Sequence, residues 1–190
     1  MVPGQLTQEE KQFLLQLARQ SLEKGVRGEE LPEINLGTLP PRLRENGASF
    51  VTLTLRGNLR GCIGALEAYQ SLAEDVREHA VAAAMDDYRF TPVQPAELPD
   101  IQIEISRLTI PVPLEYSCPE DITKQLRPGV DGVILHDGIR RATFLPQVWD
   151  KIDNVDMFLS QLCMKMGAPP YTWRNKKLSV ETYQVEEFHE

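Results

Sequence analysis

Cys62 is the residue of this chain whose type and setting most invite chemistry. It stands in LRGCIG, Leu59 to Gly64, with Arg60 two positions before it and glycines at 61 and 64. A cysteine attacks as its thiolate, and a neighbouring cation or free backbone N–H groups favour that form. Arg60 is the cation nearest in sequence, and residues two apart on a strand share a face. Gly61 and Gly64 let backbone or ligand come close. The bland reading of the same residues is a small apolar thiol that fills space. His136 is the histidine that falls in a predicted strand, and it would serve as a base for Cys62 if the two meet.

A second polar group lies in MDDYRFTP, Met85 to Pro92. Asp86 and Asp87 sit at a predicted helix end, where the macrodipole favours cations, so they call for a local partner, and Arg89 is the nearest. The cluster reads either as a capped turn or as the polar lining of a pocket. In RRATFLPQVW, Arg140 and Arg141 fall on opposite faces of a predicted strand, so one guanidinium can face a carboxylate or phosphate while the other is solvated.

The elements that must hold these residues follow from periodicity and capping. Apolar positions Phe13, Leu14, Leu17, Ala18 and Leu22 predict an amphipathic helix over 6–24, opened by a Thr7/Glu10 capping box and stopped by Gly25 and Gly28. An extended, proline-bearing connection follows. SFVTLTL, then RGN, then LRGCIG predicts a hairpin whose second strand carries Cys62. Ser71 to Met85 predicts a helix with Ser71 and Glu74 as a second capping box and an alanine-rich packing face; His79 is placed at its surface or rim. Ile101 to Leu108 alternates as a strand, and CPEDITKQL begins a short helix at Pro119. Asp137-Gly138 between apolar runs marks another hairpin. QVWDKI and VDMFLSQLCMKMG read as helical, and KLSVETYQVEEF as one edge strand. Helices mixed with hairpins predict an α+β fold with a mainly antiparallel sheet and flanking helices.

Composition bounds the rest. At 190 residues with 42% hydrophobic and 25% charged side chains, the chain suits one domain, residues 1–190, with a larger and a smaller lobe. A net charge of -8 opposes general nucleic-acid or anionic-membrane binding. Cys62, Cys118 and Cys163 are odd in number and far apart, so reduced thiols are expected. The histidines form no HxxxH or HExxH pair and no CxxC occurs, so no metal is assigned. LRGCIG matches neither GxxxxGK[ST] nor GxGxxG. The N-terminus lacks a leader's pattern and no apolar run approaches a membrane span, which predicts a cytoplasmic protein without a membrane partner.

LRGCIG, AAAMDDYRFTPVQPAEL, IEISRLT, GVDGVIL, RRATFLPQVW and FLSQLCMKMGAPPYTW occur in the order found in the AMMECR domain family, also called AmmeMemoRadiSam system protein A, which the chain resembles over nearly all of its length after the first helix. The resemblance implies an α+β fold of two lobes with the LRGCIG strand near a cleft. It carries over to Arg60, Gly61, Cys62 and Gly64, to Asp87, Arg89, Phe90 and Pro92, and to Arg141, Leu145 and Pro146. It also implies partnership with a Memo-like protein and a radical S-adenosylmethionine protein in a modification pathway. KMGAPPYTW departs from the family's usual pattern in the loop after the last long helix. Two readings stand: a cysteine-dependent enzyme, or a non-catalytic module that binds a nucleotide, nucleic acid or protein. Under either, Arg60, Gly61, Gly64, Asp87, Arg89 and Arg141 bind a small anionic ligand or nucleotide. Under the first, Cys62 is catalytic, with His136 as its candidate base.

Overall fold

The computed structural model describes residues 5–190. The first four residues lie outside that range. The chain is α+β and divides into two units: one runs to Leu108 and takes back Glu186–Glu190, and the other is Thr109–Val185.

The first unit opens with α1 (Gln8–Arg27), α2 (Pro41–Arg44), β1 (Asn46–Leu55), β2 (Asn58–Gly64), β3 (Gln70–Ser71), α3 (Leu72–Met85) and β4 (Ile101–Leu108). The Thr7 hydroxyl accepts from Glu10 N and the Glu10 carboxylate accepts from Thr7 N, which closes the capping box of α1. Gly25 does not stop this helix. A Cβ there would lie 2.8 Å from Val81 Cγ1, so the glycine lets α1 close on α3. The stop is Gly28, whose φ of 69° only glycine adopts cheaply.

Arg56 and Gly57, both at positive φ, turn β1 into β2. The sheet order is β2-β1-β4-β9, with β3 also paired to β1 and β9 being Val185–His189. Val51, Leu53, Ile103 and Ile105 point to one face and bury against α1 and α3. By strand alternation, Phe50, Thr52, Glu104, Ser106 and Cys62 share the other. The register shifts between Leu53 and Thr54, leaving Arg60 as the extra residue of a β-bulge.

The second unit holds β5 (Val112–Pro113), α4 (Pro119–Gln125), β6 (Gly132–Asp137), β7 (Arg140–Phe144), α5 (Val155–Lys165), α6 (Thr172–Asn175) and β8 (Ser179–Tyr183), with sheet order β5-β8-β6-β7. Val133, Leu135, Ala142 and Val180 bury against Trp149, Phe158, Leu159 and Trp173. Trp149 stacks on Phe158 at 3.6 Å and donates to Asp131 O at 2.7 Å. The expected single terminal edge strand is two strands in different sheets. β8 lies inside the second sheet between β5 and β6, and β9 ends the first. QVWDKI forms a 3-10 turn over Pro146–Asp150 rather than an α-helix. Among the described residues no helix is long and apolar enough to cross a membrane.

Candidate functional site

β2 ends the first sheet, so alternate backbone groups along it face away from β1. At Cys62 both outward groups are taken by one ion pair. Asp87 Oδ2 accepts from Cys62 N at 2.9 Å, and Arg89 Nη2 donates to Cys62 O at 3.1 Å. Asp87 also accepts from Arg89 Nη2 at 2.7 Å, from Nε at 2.9 Å and from the Arg89 backbone N at 3.2 Å. Asp87 is only 5% exposed, so its charge is stabilised by these donors and not by water. Hydrogen bonds from Arg89 hold the Asp87 carboxyl far below the usual carboxylate range, against the opposing effect of burial. Asp87 and Arg89 thus act on the Cys62 peptide, from the segment just after α3.

The Cys62 side chain is half-buried on the face away from α3. The Thr52 hydroxyl, directly across in register, lies 3.3 Å from Cys62 Sγ and is placed to donate to it. Glu104 is next along the same cross-strand row, half-buried, and its carboxylate makes no ion pair among the described residues. The Arg89 pKa is raised chiefly by its hydrogen bonds to Asp87; the charge of a Cys62 thiolate is among the further contributors. Arg89 Nη1 forms no hydrogen bond among the described residues, and the side chain is 44% exposed. One end of a guanidinium therefore remains available beside the cysteine.

Arg60, expected to serve the thiol, is spent elsewhere. As the bulge residue it meets Glu97 through Nε at 2.8 Å and Nη2 at 3.1 Å, and Thr91 O through Nη1 at 2.9 Å. The hydrogen bond to Glu97 raises the Arg60 pKa, and the same contact lowers that of Glu97. The glycines serve packing. A Cβ on Gly61 would lie 2.0 Å from Ala83 O of α3, and one on Gly64 would lie 2.4 Å from Phe50 Cγ and Ser49 O.

In the second unit, His136 and Arg141 pair in register, with Ser179 opposite His136 on the far side. His136 Nε2 lies 2.9 Å from Glu181, so the partner it meets in its own unit is a carboxylate. Tyr183 lies on the same sheet face. Its hydroxyl is 3.0 Å from Thr143 Oγ1 and donates to Phe144 O, and burial raises its pKa. Among the described residues no group of three or more His, Cys, Asp or Glu side chains is arranged to hold a metal ion.

Thr52 and Glu104 escaped the sequence reading, although strand alternation places Thr52 on one face with Phe50 and the hairpin register places it opposite Cys62. Glu181 had no local signal, because its relation to His136 depends on β8 entering the second sheet. His79, expected at the surface, is 7% exposed, with Nδ1 3.2 Å from Asp75, one helical turn earlier. Asp75 is fully buried and accepts from Ser49 Oγ at 2.6 Å, so the α3 face that carries His79 packs on β1.

Comparison with known proteins assigns this architecture. The AMMECR1 family matches residues 15–188. The chain belongs to the AMMECR1 family. A protein of Methanothermobacter thermautotrophicus is 40% identical over 193 residues, covering 97% of this chain and 96% of its own. One from Methanopyrus kandleri is 38% identical, covering 97% and 90%. The crystal structure of an uncharacterized protein, PH0010, from Pyrococcus horikoshii aligns with a TM-score of 0.77 at 33% identity, covering 97% of this chain and 93% of that one. The AMMECR1 match spans both units and so includes the Cys62 strand, the Asp87–Arg89 pair and the His136 sheet.

Proposed function

We propose that the protein works through the Cys62 thiol, as the nucleophile of an enzyme acting on a small anionic substrate at the face of the first sheet opposite α1 and α3. The observation that carries this is the clamp. The Cys62 peptide is fixed at both its N–H and its C=O by a buried carboxylate and its arginine, while the thiol stays on the half-open face beside a hydroxyl donor. Reacting groups need such positioning to within fractions of an ångström. Arg89 Nη1 places an anion next to the sulfur. Glu104 is the carboxylate nearest in register to take the thiol proton.

Following the family resemblance, we assign this chemistry to one step of a modification pathway in the cytoplasm, shared with a Memo-like protein and a radical S-adenosylmethionine protein. Co-purification of the three from the native cell tests that wider role. The competing reading is a non-catalytic binding module. It is supported by the full engagement of Arg60 with Glu97 and Thr91, which leaves that guanidinium a structural part.

A pair of alkylating reagents separates the two. Iodoacetate is anionic and iodoacetamide neutral, and both modify thiolates. If Arg89 positions an anion beside a reactive thiol, folded protein is labelled at Cys62 faster by iodoacetate, relative to exposed Cys118 beside Glu120 and Asp121. Arg89→Gln should remove the preference. No labelling of Cys62 in the folded state, or no preference for the anion, sinks the enzyme reading.

A further inference from the structure

The second unit holds a trio of side chains that the Cys62 chemistry does not use. β8 runs beside β6, with Ser179 opposite His136 and Glu181 opposite Ile134. Val133, Leu135 and Val180 turn into the core, so by alternation His136, Ser179 and Glu181 stand together on the other face of that sheet. Ser179 is exposed, and His136 and Glu181 are half-buried, so this end of the face is open to a reactant.

The lengths of the two β8 side chains match the two nitrogens of the ring. Leu114 N donates to Val180 O at 2.8 Å, so the polar backbone groups of Val180 face β5 and those of Ser179 face β6. Ser179 and His136 are therefore a hydrogen-bonded antiparallel pair, with Cα atoms about 5.5 Å apart and side chains standing next to each other. Nε2, the nitrogen farther from the strand, meets the longer Glu181 at 2.9 Å. A carboxylate only accepts, so Nε2 carries the hydrogen and Nδ1 keeps its lone pair. Nδ1 and the Ser179 hydroxyl have no hydrogen-bond partner among the described residues. Serine is short, Nδ1 is the nitrogen nearer the strand, and one rotation about χ1 of Ser179 carries Oγ toward it.

A hydroxyl, an imidazole and a carboxylate in that order are a nucleophile, its base and the group that orients the base, an arrangement defined by roles and not by chain order. Ser179 also lines a groove of about 320 Å³, with Leu114, Glu115, Tyr116 and Lys177 among its walls. Tyr116 is locked there by its two hydrogen bonds to Leu178. The Lys177 ammonium lies 5.6 Å from the centre of the Tyr116 ring and has no carboxylate partner among the described residues. A groove of this size suits a small acyl group, and the ammonium brings positive charge to the place where a carbonyl oxygen turns anionic.

We infer that Ser179, His136 and Glu181 form a catalytic centre of their own, which hydrolyses small carboxylic esters. Ser179 Oγ attacks the carbonyl carbon while His136 Nδ1 takes the hydroxyl proton. The tetrahedral adduct then breaks its C–O bond to the alcohol, which leaves with that proton. Water attacks the acyl-serine with the same base, releasing the acid and restoring the hydroxyl. Glu181 touches no substrate; it is a positioning residue that fixes the ring.

The test is hydrolysis of p-nitrophenyl butyrate by the full chain carrying Cys62→Ser, so that thiol attack contributes nothing. An alkyl fluorophosphonate serves as the covalent probe, with the labelled residue found by mass spectrometry. The expected result is turnover in that chain and a phosphonyl group on Ser179. Ser179→Ala and His136→Ala should each lower kcat/KM by about 100-fold or more. Glu181→Gln keeps an acceptor for the ring but not the charge, and should lower kcat by about tenfold or more with KM unchanged, a split that a merely structural role would not produce. The fluorescence of Trp149 and Trp173, both in this unit, checks that each variant folds, and His136→Gln replaces His136→Ala if the latter does not. Turnover that survives Ser179→Ala or the His136 substitution, a label on another residue, or no turnover above buffer overturns the inference. Turnover present in the wild type and lost in Cys62→Ser would place the ester chemistry at Cys62, and would also overturn it.

Discussion

Replacing Asp87 with alanine removes the acceptor of the outward Cys62 N–H and the partner of Arg89 together, and the structure sets the size of the loss. An N–H orphaned at a site where the carboxylate was 5% exposed costs about 1–3 kcal/mol. The partner Arg89 is half-exposed, so solvent screens its charge and the orphaned N–H dominates the loss. A loss of about 1–3 kcal/mol therefore follows for the first unit. Fluorescence is the wrong assay, since Trp149 and Trp173 both lie in the second unit. Amide hydrogen exchange resolves the effect. Exchange at Cys62 should accelerate by about 5- to 150-fold in Asp87→Ala, with amides of β6 and β8 unchanged. Asp87→Asn keeps an acceptor for Cys62 N–H and should lose less. Cys62 exchanging as slowly in Asp87→Ala as in the wild type would refute the clamp.

Three further outcomes are expected. Gly61→Ala should destabilise the first unit by about 3 kcal/mol or leave the protein insoluble, because the added Cβ falls 2.0 Å from a helix carbonyl; urea unfolding followed by circular dichroism reads it. Acid should weaken the same unit. The carboxyl pKa values of Asp87 and Glu97 are lowered in the fold by their arginine partners, so the stability they add is complete above the unfolded carboxylate value of about 4 and is lost as pH falls toward the folded values; Asp87→Asn/Glu97→Gln should flatten the acid limb of a stability–pH curve. In the second unit, the buried Tyr116 hydroxyl donates to Leu178 O at 2.8 Å and accepts from Leu178 N at 2.7 Å. Tyr116→Phe should therefore cost about 2 kcal/mol, visible in the tryptophan fluorescence transition.

What the sequence made legible were features whose causes are local. The Thr7/Glu10 and Ser71/Glu74 caps, the β1–β2 hairpin and the alternation of Ile101 to Leu108 each depend on neighbours within a few residues. Asp87 and Arg89, two apart, were legible as partners for the same reason. Their shared target, the Cys62 peptide, was not, because it is 25 positions away and is a backbone group with no side-chain signature. Arg60 misled because a bulge breaks the period of two on which face-sharing rests. Gly25 and Gly61 look alike in sequence to turn or ligand glycines, yet contact with Val81 and Ala83 decides them. The tail ran together as one strand because Gln184 carries no breaker signal where the chain leaves one sheet for the other.

The most direct test of the central claim is the rate of iodoacetamide modification at Cys62, Cys118 and Cys163, resolved by mass spectrometry, in folded and urea-unfolded protein. Cys163 is fully buried and its pKa is raised by burial, so it should react only after unfolding. Cys118 is exposed, but its raised pKa slows it at neutral pH. The account predicts that Cys62 in the folded protein reacts ahead of Cys118 and slows when Thr52→Val removes its hydroxyl donor. A Cys62 that stays unmodified until urea unfolds the chain, as Cys163 does, would contradict it.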